Sequence, residues 1–122
     1  MKLSLDLPAR IHVIRAYAPG EIRVGDVVYH ASLIVTAASL IEDWRPTSMA
    51  DLQPADFEPI LALRPEVLLV GSGARQQFPD RAILASLYAA RIGLEIMDTG
   101  AACRTYNVLV AEGRKVAAAL IL

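Results

Sequence analysis

Apolar residues run without a polar break from Val67 to Val70 and end at Gly71-Ser72-Gly73, the one place where such a run meets a glycine-rich turn. With no polar alternation, both faces of this stretch need cover, which predicts a strand at the centre of a largely parallel sheet. Upstream the pattern changes to short β segments separated by turn residues: Ile11 to Tyr17, Pro19-Gly20, Glu21 to Val24, Gly25-Asp26, Val27 to Tyr29 and Ser32 to Thr36. Proline presets the first turn torsion and glycine accepts a positive φ, so residues 11–36 read as an antiparallel meander. Leu40, Ile41 and Trp44 then keep a helical spacing after a β-like run. A short extended or turn segment is expected there, with Trp44 closing an edge of the core.

Helical periodicity begins after the Arg45-Pro46-Thr47-Ser48 loop, where Phe57, Ile60, Leu61 and Leu63 form an apolar stripe over residues 51–63. Pro59 inside a helix would cost about 3 kcal/mol. A start near Asp56 avoids that cost by placing the proline in the first turn. A second helix is predicted from Pro79 to Arg91, with Ile83, Leu84, Leu87, Tyr88 and Ala90 on one face and Ala82, Ala85, Ser86 and Ala89 on the other. Leu94 to Met97 reads as a strand and Thr99 to Glu112 as a helix closed by Gly113. Its core face collects Ala102, Cys103, Tyr106, Leu109 and Val110, opposite Arg104, Val108 and Glu112. Lys115 to Leu122 completes the chain as a nearly all-apolar strand. The strand-helix alternation from Leu63 onward predicts an α/β fold. It is a single-domain three-layer sandwich with a central mixed, mostly parallel sheet, helices on its faces and an added amino-terminal antiparallel meander that packs against this unit or extends its sheet. Residues 1–122 form one domain in this reading, with the α/β core at 51–122.

Composition narrows the class of function. The 12 basic and 13 acidic residues give a formal charge of −1, so no overall positive field draws nucleic acid. Val116 to Leu122, the longest apolar stretch, has seven residues against the roughly 20 a bilayer-spanning helix needs. The single cysteine, Cys103, has no intramolecular disulfide partner and no second thiol for zinc. No His, Cys and carboxylate spacing suggests a metal. The start, Met1 to Pro8, lacks the features of a secretory signal or mitochondrial presequence, and a cytoplasmic protein is expected.

Two stretches carry candidate chemistry. Gly71-Ser72-Gly73 after a strand begins a dinucleotide fingerprint, but Gln76 stands where the third glycine belongs, and no Gly-Lys-Ser/Thr of a P-loop follows. Two readings remain, a tight strand-to-helix turn and an anion site built from loop amides with Arg75 nearby. In the second stretch, Asp98 or Thr99 suits the cap of a helix. Cys103 falls on the apolar arc with Tyr106 and Val110, which predicts an inert buried thiol, and neither His12 nor His30 has a catalytic context. Arg75 and Arg104 both follow the ends of parallel-type strands, where open α/β sheets place ligands. The predicted crevice therefore comprises Gly71, Ser72, Gly73, Arg75, Gln76, Asp98, Thr99, Arg104 and Asn107, with no catalytic residue and no cofactor assigned. The apolar outer faces of the two later helices are candidate contact surfaces.

The segments Val70 to Pro79 and Gly93 to Leu109 together resemble the two signature blocks of a family of small uncharacterised proteins, a domain of unknown function. That family includes the mitochondrial complex I assembly factor 3. The likeness continues through Glu112 to Leu120 and more loosely back to Ser32. It implies a three-layer fold and, for the eukaryotic member, a partner role in assembling the membrane-bound NADH dehydrogenase. It implies no catalytic mechanism, and, lacking the features of a presequence, the chain resembles a bacterial member of the family. The expectation is therefore a non-enzymatic protein-interaction module whose partners are complex I subunits or assembly factors, or a second copy of itself. The rival is a domain or enzyme binding a small anionic ligand between the Gly71 to Phe78 loop and the Asp98 to Asn107 helix start.

Overall fold

The computed structural model describes residues 11–122. Their strands form two sheets. The first holds β1 (Ile14–Ala18), β2 (Glu21–Val24) and β3 (Val27–Tyr29) in simple antiparallel succession. Its hairpins turn at Pro19-Gly20 and Gly25-Asp26, where Gly20 and Gly25 take φ of 85° and 59°, the left-handed region that glycine enters without penalty. The second sheet contains β4 (Leu33–Thr36), β5 (Leu40–Ile41), β6 (Val67–Ser72), β7 (Gly93–Met97) and β8 (Val116–Ile121) in the order β5-β4-β8-β6-β7. It is mixed: β6 pairs in parallel with β7 and β8, while β4 runs antiparallel to β8 and β5.

Two expectations about this sheet need correction. The stretch ending at Thr36 does not close the meander but pairs with β8, Leu33 opposite Leu120 and Thr36 opposite Ala117. The reason is burial: Ile34 packs into one side of the sheet and Leu33 and Val35 into the other, all at zero exposure. A strand buried on both faces cannot sit in a hairpin layer that has one face open to water. The Glu66 strand is also not the middle one. β8 is, and its six residues Val116 to Ile121 are all buried. Ala117, Ala118 and Ala119 keep that strand thin, so both covering layers come close and large side chains, Phe57 on one face and Tyr106 on the other, fill the space at zero exposure.

One covering layer holds α1 (Glu58–Leu63) and α2 (Ala85–Ala89) with their 3-10 lead-ins, Pro54–Phe57 and Arg81–Leu84. Pro59 lies in the first turn of α1, as its sequence required, and Arg64 in a left-handed conformation ends the helix before Pro65. The helix expected over residues 79–91 is shorter. Asp80 is extended, its side chain makes no cap, and the first turn tightens to 3-10. Arg45 secures the start of this layer with a two-pronged ion pair to Asp56, 2.8 and 2.7 Å, and Trp44 Nε1 donates to the Asp56 carbonyl at 2.8 Å. The other layer holds α3 (Thr99–Ala111) and the small sheet, which share a core of Ile14, Ile22, Val24, Leu69, Cys103 and Tyr106. The Leu40–Ile41 segment is extended, as expected, and Trp44 is buried.

Candidate functional site

The connections leaving β6 and β7 depart to opposite faces of the sheet, one to α2 and the other to α3. In open α/β sheets that divergence opens a ligand crevice beyond the strand ends. Here the protein's own side chains bridge it. Thr99, fully buried, donates its hydroxyl proton to the Ile121 carbonyl at 2.6 Å and accepts the Gly73 amide at 2.8 Å. Its own amide returns a bond to the Gly73 carbonyl at 2.8 Å. The Ser72 hydroxyl lies 2.6 Å from the Arg75 carbonyl and 3.1 Å from that of Met97, and it accepts the Gln77 amide at 3.1 Å. Gln76 Nε2 reaches across to the Ile96 carbonyl at 3.0 Å.

Gly71 shows why the turn needs glycine. A Cβ there would stand 2.8 Å from Thr99 Oγ1 and 3.0 Å from both Thr99 Cα and Leu120 Cδ2. Close approach of α3 to the strand ends is thus the demand that the first glycine meets. Asp98 caps α3, its Oδ1 accepting the Ala101 amide at 2.9 Å. Gly71, Ser72, Gly73, Gln76 and Thr99 accordingly belong to one junction, while the Asp98 side chain bonds within α3. Arg75 gives that junction its carbonyl and is itself exposed.

Arg104 and Asn107 lie elsewhere on α3, facing β1. Asn107 holds the strand with two bonds, accepting the Ile14 amide at 3.0 Å and donating to the Ile14 carbonyl at 2.7 Å. Tyr106 adds a bond from its hydroxyl to the His12 carbonyl at 2.7 Å, and burial raises its phenol pKa above the ordinary value. Beside these contacts a hollow of about 260 Å³ opens, lined by Arg15, Tyr17, Gly100, Cys103, Arg104 and Asn107 among others. Arg75 is not part of its wall. Arg15 and Tyr17 carried no signal in the sequence beyond the alternation of a strand, and a register shift between Ile14 and Ala16 decides where they point.

Thiol chemistry is disfavoured at this place. Burial is the main cause that pushes the Cys103 thiol up to about 12, Arg104 opposing it weakly, so almost none is thiolate at neutral pH. Among the described residues no group of three or more His, Cys, Asp or Glu side chains could hold a metal ion. No helix among them is long and apolar enough to cross a membrane.

A family described as "Protein of unknown function (DUF498/DUF598)" matches residues 14–121. The chain belongs to this family. Its solved relatives share the fold: a Xanthomonas campestris protein, determined by NMR, is 42% identical with a TM-score of 0.84, the match covering 99% of this chain and 92% of that one. A Bartonella henselae crystal structure, described as an outer membrane protein, is 34% identical with a TM-score of 0.81 over 93% of this chain and 96% of the other. Among curated relatives, the Danio rerio protein named NADH dehydrogenase [ubiquinone] 1 alpha subcomplex assembly factor 3 is 34% identical over 112 residues, 89% of this chain. The match spans 63% of that relative's length. The family thus includes complex I assembly factor 3 together with a protein described by a membrane location.

Proposed function

We propose that the chain is a non-enzymatic protein-interaction module that works in the cytoplasm and assists assembly of a membrane-bound NADH dehydrogenase. The assembly context rests on the kinship with assembly factor 3 over 89% of the chain. The observation that carries the interaction reading is an exposed aromatic on a fixed support. Phe78 is 68% exposed, and it follows directly on a turn tied down by Ser72, Gln76 and Thr99. A large aromatic presented next to a hydrogen-bonded turn is suited to anchor an interface, since less backbone has to be ordered when it binds. Val108, 56% exposed on the outer face of α3, offers a second apolar contact. Burying a phenylalanine contributes about 1.5–3 kcal/mol toward docking, to which Val108 and a polar rim add.

Affinity capture of the tagged full chain from its native host tests this reading. NADH dehydrogenase subunits or their assembly factors should accompany the wild type and be lost from Phe78→Ser/Val108→Ser. Recovery of the chain alone or only with further copies of itself would sink it, as would normal levels of assembled enzyme in a deletion strain.

A further inference from the structure

The hollow between β1 and α3 is separate from the junction at the strand ends and from the Phe78 surface, and three observations converge on it. The first is charge. Arg15 and Arg104 both line it, and among the described residues the ion pairs are made by Arg23, Arg45 and Arg114, so neither guanidinium has the carboxylate of a described residue within 4.0 Å. The second is the local backbone. β1 pairs Ile14 with Val24 and Ala16 with Arg23, adjacent residues on one strand against every second residue on the other. Arg15 is therefore the extra residue of a β-bulge, a device that re-aims a side chain and recurs next to binding sites. The third is an orphan. Tyr17 also lines the hollow, and its hydroxyl, closed to solvent, has no hydrogen-bond partner among the described residues.

The floor is shaped to keep the space open. A Cβ on Gly100 would come within 3.5 Å of both Arg104 Nη1 and Tyr17 Cδ2 and 3.4 Å of Asp98 Oδ1. The Arg104 guanidinium and the Tyr17 ring thus converge over a residue without a side chain. The hollow is also preformed, because the paired bonds of Asn107 to Ile14 fix strand and helix relative to each other.

We propose that this hollow binds a small organic anion, a carboxylate or phosphate monoester held between the guanidinium groups of Arg15 and Arg104. Two guanidinium groups grip an oxyanion by charge-assisted hydrogen bonds in a fixed fork. Rotation of the Tyr17 side chain toward the hollow would bring its buried hydroxyl to the same acceptor. A volume of about 260 Å³ suits a small metabolite and excludes a dinucleotide, whose pockets are of the larger class, toward roughly 1,000 Å³. Ligand and protein partner occupy different faces, so this site stands or falls independently of the assembly role.

Titration of the ¹⁵N-labelled full chain with glutarate and with phenyl phosphate, each at constant ionic strength against chloride, tests the site. The expected result is saturable shifts centred on Gly100, Arg104 and Asn107 with a Kd of about 1 mM or tighter for at least one probe. Arg15→Gln and Arg104→Gln should each weaken binding about tenfold or more, and Arg75→Gln should leave it unchanged. Both arginines are exposed, so unchanged spectra of the unliganded variants will show intact folds. The proposal is overturned if neither probe saturates, if both arginine variants bind like wild type, or if the shifts centre on residues 71–78 and vanish with Arg75→Gln. Glutarate alone saturating assigns a carboxylate, and phenyl phosphate alone a phosphate monoester; either supports the site.

Discussion

Thr99 and Gly71 form a matched pair at the residue scale. The threonine hydroxyl joins the ends of two neighbouring strand regions, giving a proton to Ile121 and taking one from Gly73. It approaches this closely because Gly71 has no side chain. Thr99→Val conserves shape but leaves a buried amide and a buried carbonyl unpaired, and urea unfolding should show a loss of about 2 kcal/mol or more. Thr99→Ser keeps the hydroxyl and should lose less than half of that. Gly71→Val should cost about 1–3 kcal/mol through overpacking against Thr99 and Leu120. A Thr99→Val variant as stable as Thr99→Ser would remove the hydroxyl from the account. The sequence left two readings of the glycine loop, a tight turn and an anion site, and could not name the hydroxyl from 26 residues further along the chain that accepts the Gly73 amide. Spacing arguments reach only local neighbours, and this partner is not local.

At the scale of elements, α3 was legible almost to the residue, because a capping Asp98, a terminal Gly113 and a clear apolar arc all agree. What α3 packs against was not legible. Asn107 was expected in a ligand crevice, with nothing in the sequence to pair it with β1, yet it supplies the clasp between α3 and that strand. Asn107→Ala should therefore loosen the small sheet selectively. Hydrogen exchange at Ile14 should accelerate at least about tenfold, as loss of two bonds worth about 1 kcal/mol each requires. The amides of β8 should keep their protection. Uniform acceleration across both sheets would mean that Asn107 supports the whole fold and not this one contact. The α2 region shows the opposite case, where an apolar stripe suggested a long helix and capping failed. Without a side-chain cap at Asp80, only Ala85–Ala89 is α-helical.

For the whole molecule, the acid branch of stability should depend on one local cluster. Hydrogen bonding from Arg45 is the first cause that holds the Asp56 carboxyl below its usual range, and the Thr47 amide followed by Arg45 does the same for Asp51. A carboxyl depressed in the folded state contributes stability above its unfolded pKa of about 3.9 and loses it as pH falls through the lower folded value. Arg45→Met should thus lower Tm at neutral pH, and its gap to wild type should close as pH drops below about 4. A gap that stays constant down to about pH 3 would assign the arginine a packing role instead. The order of elements, the two-sided burial of the later strands and the family were all determined by sequence, because patterning and turn chemistry act over a few residues and are written in consecutive positions. Tertiary structure decided that Val116 to Ile121 and not Glu66 to Ser72 occupies the middle of the sheet, and that Leu33 to Thr36 leaves the meander to join it. It also brought β1 against α3 through Asn107 and Ile14, 93 positions apart, and so formed the hollow beside Arg104, a pairing that no local pattern of residues specifies.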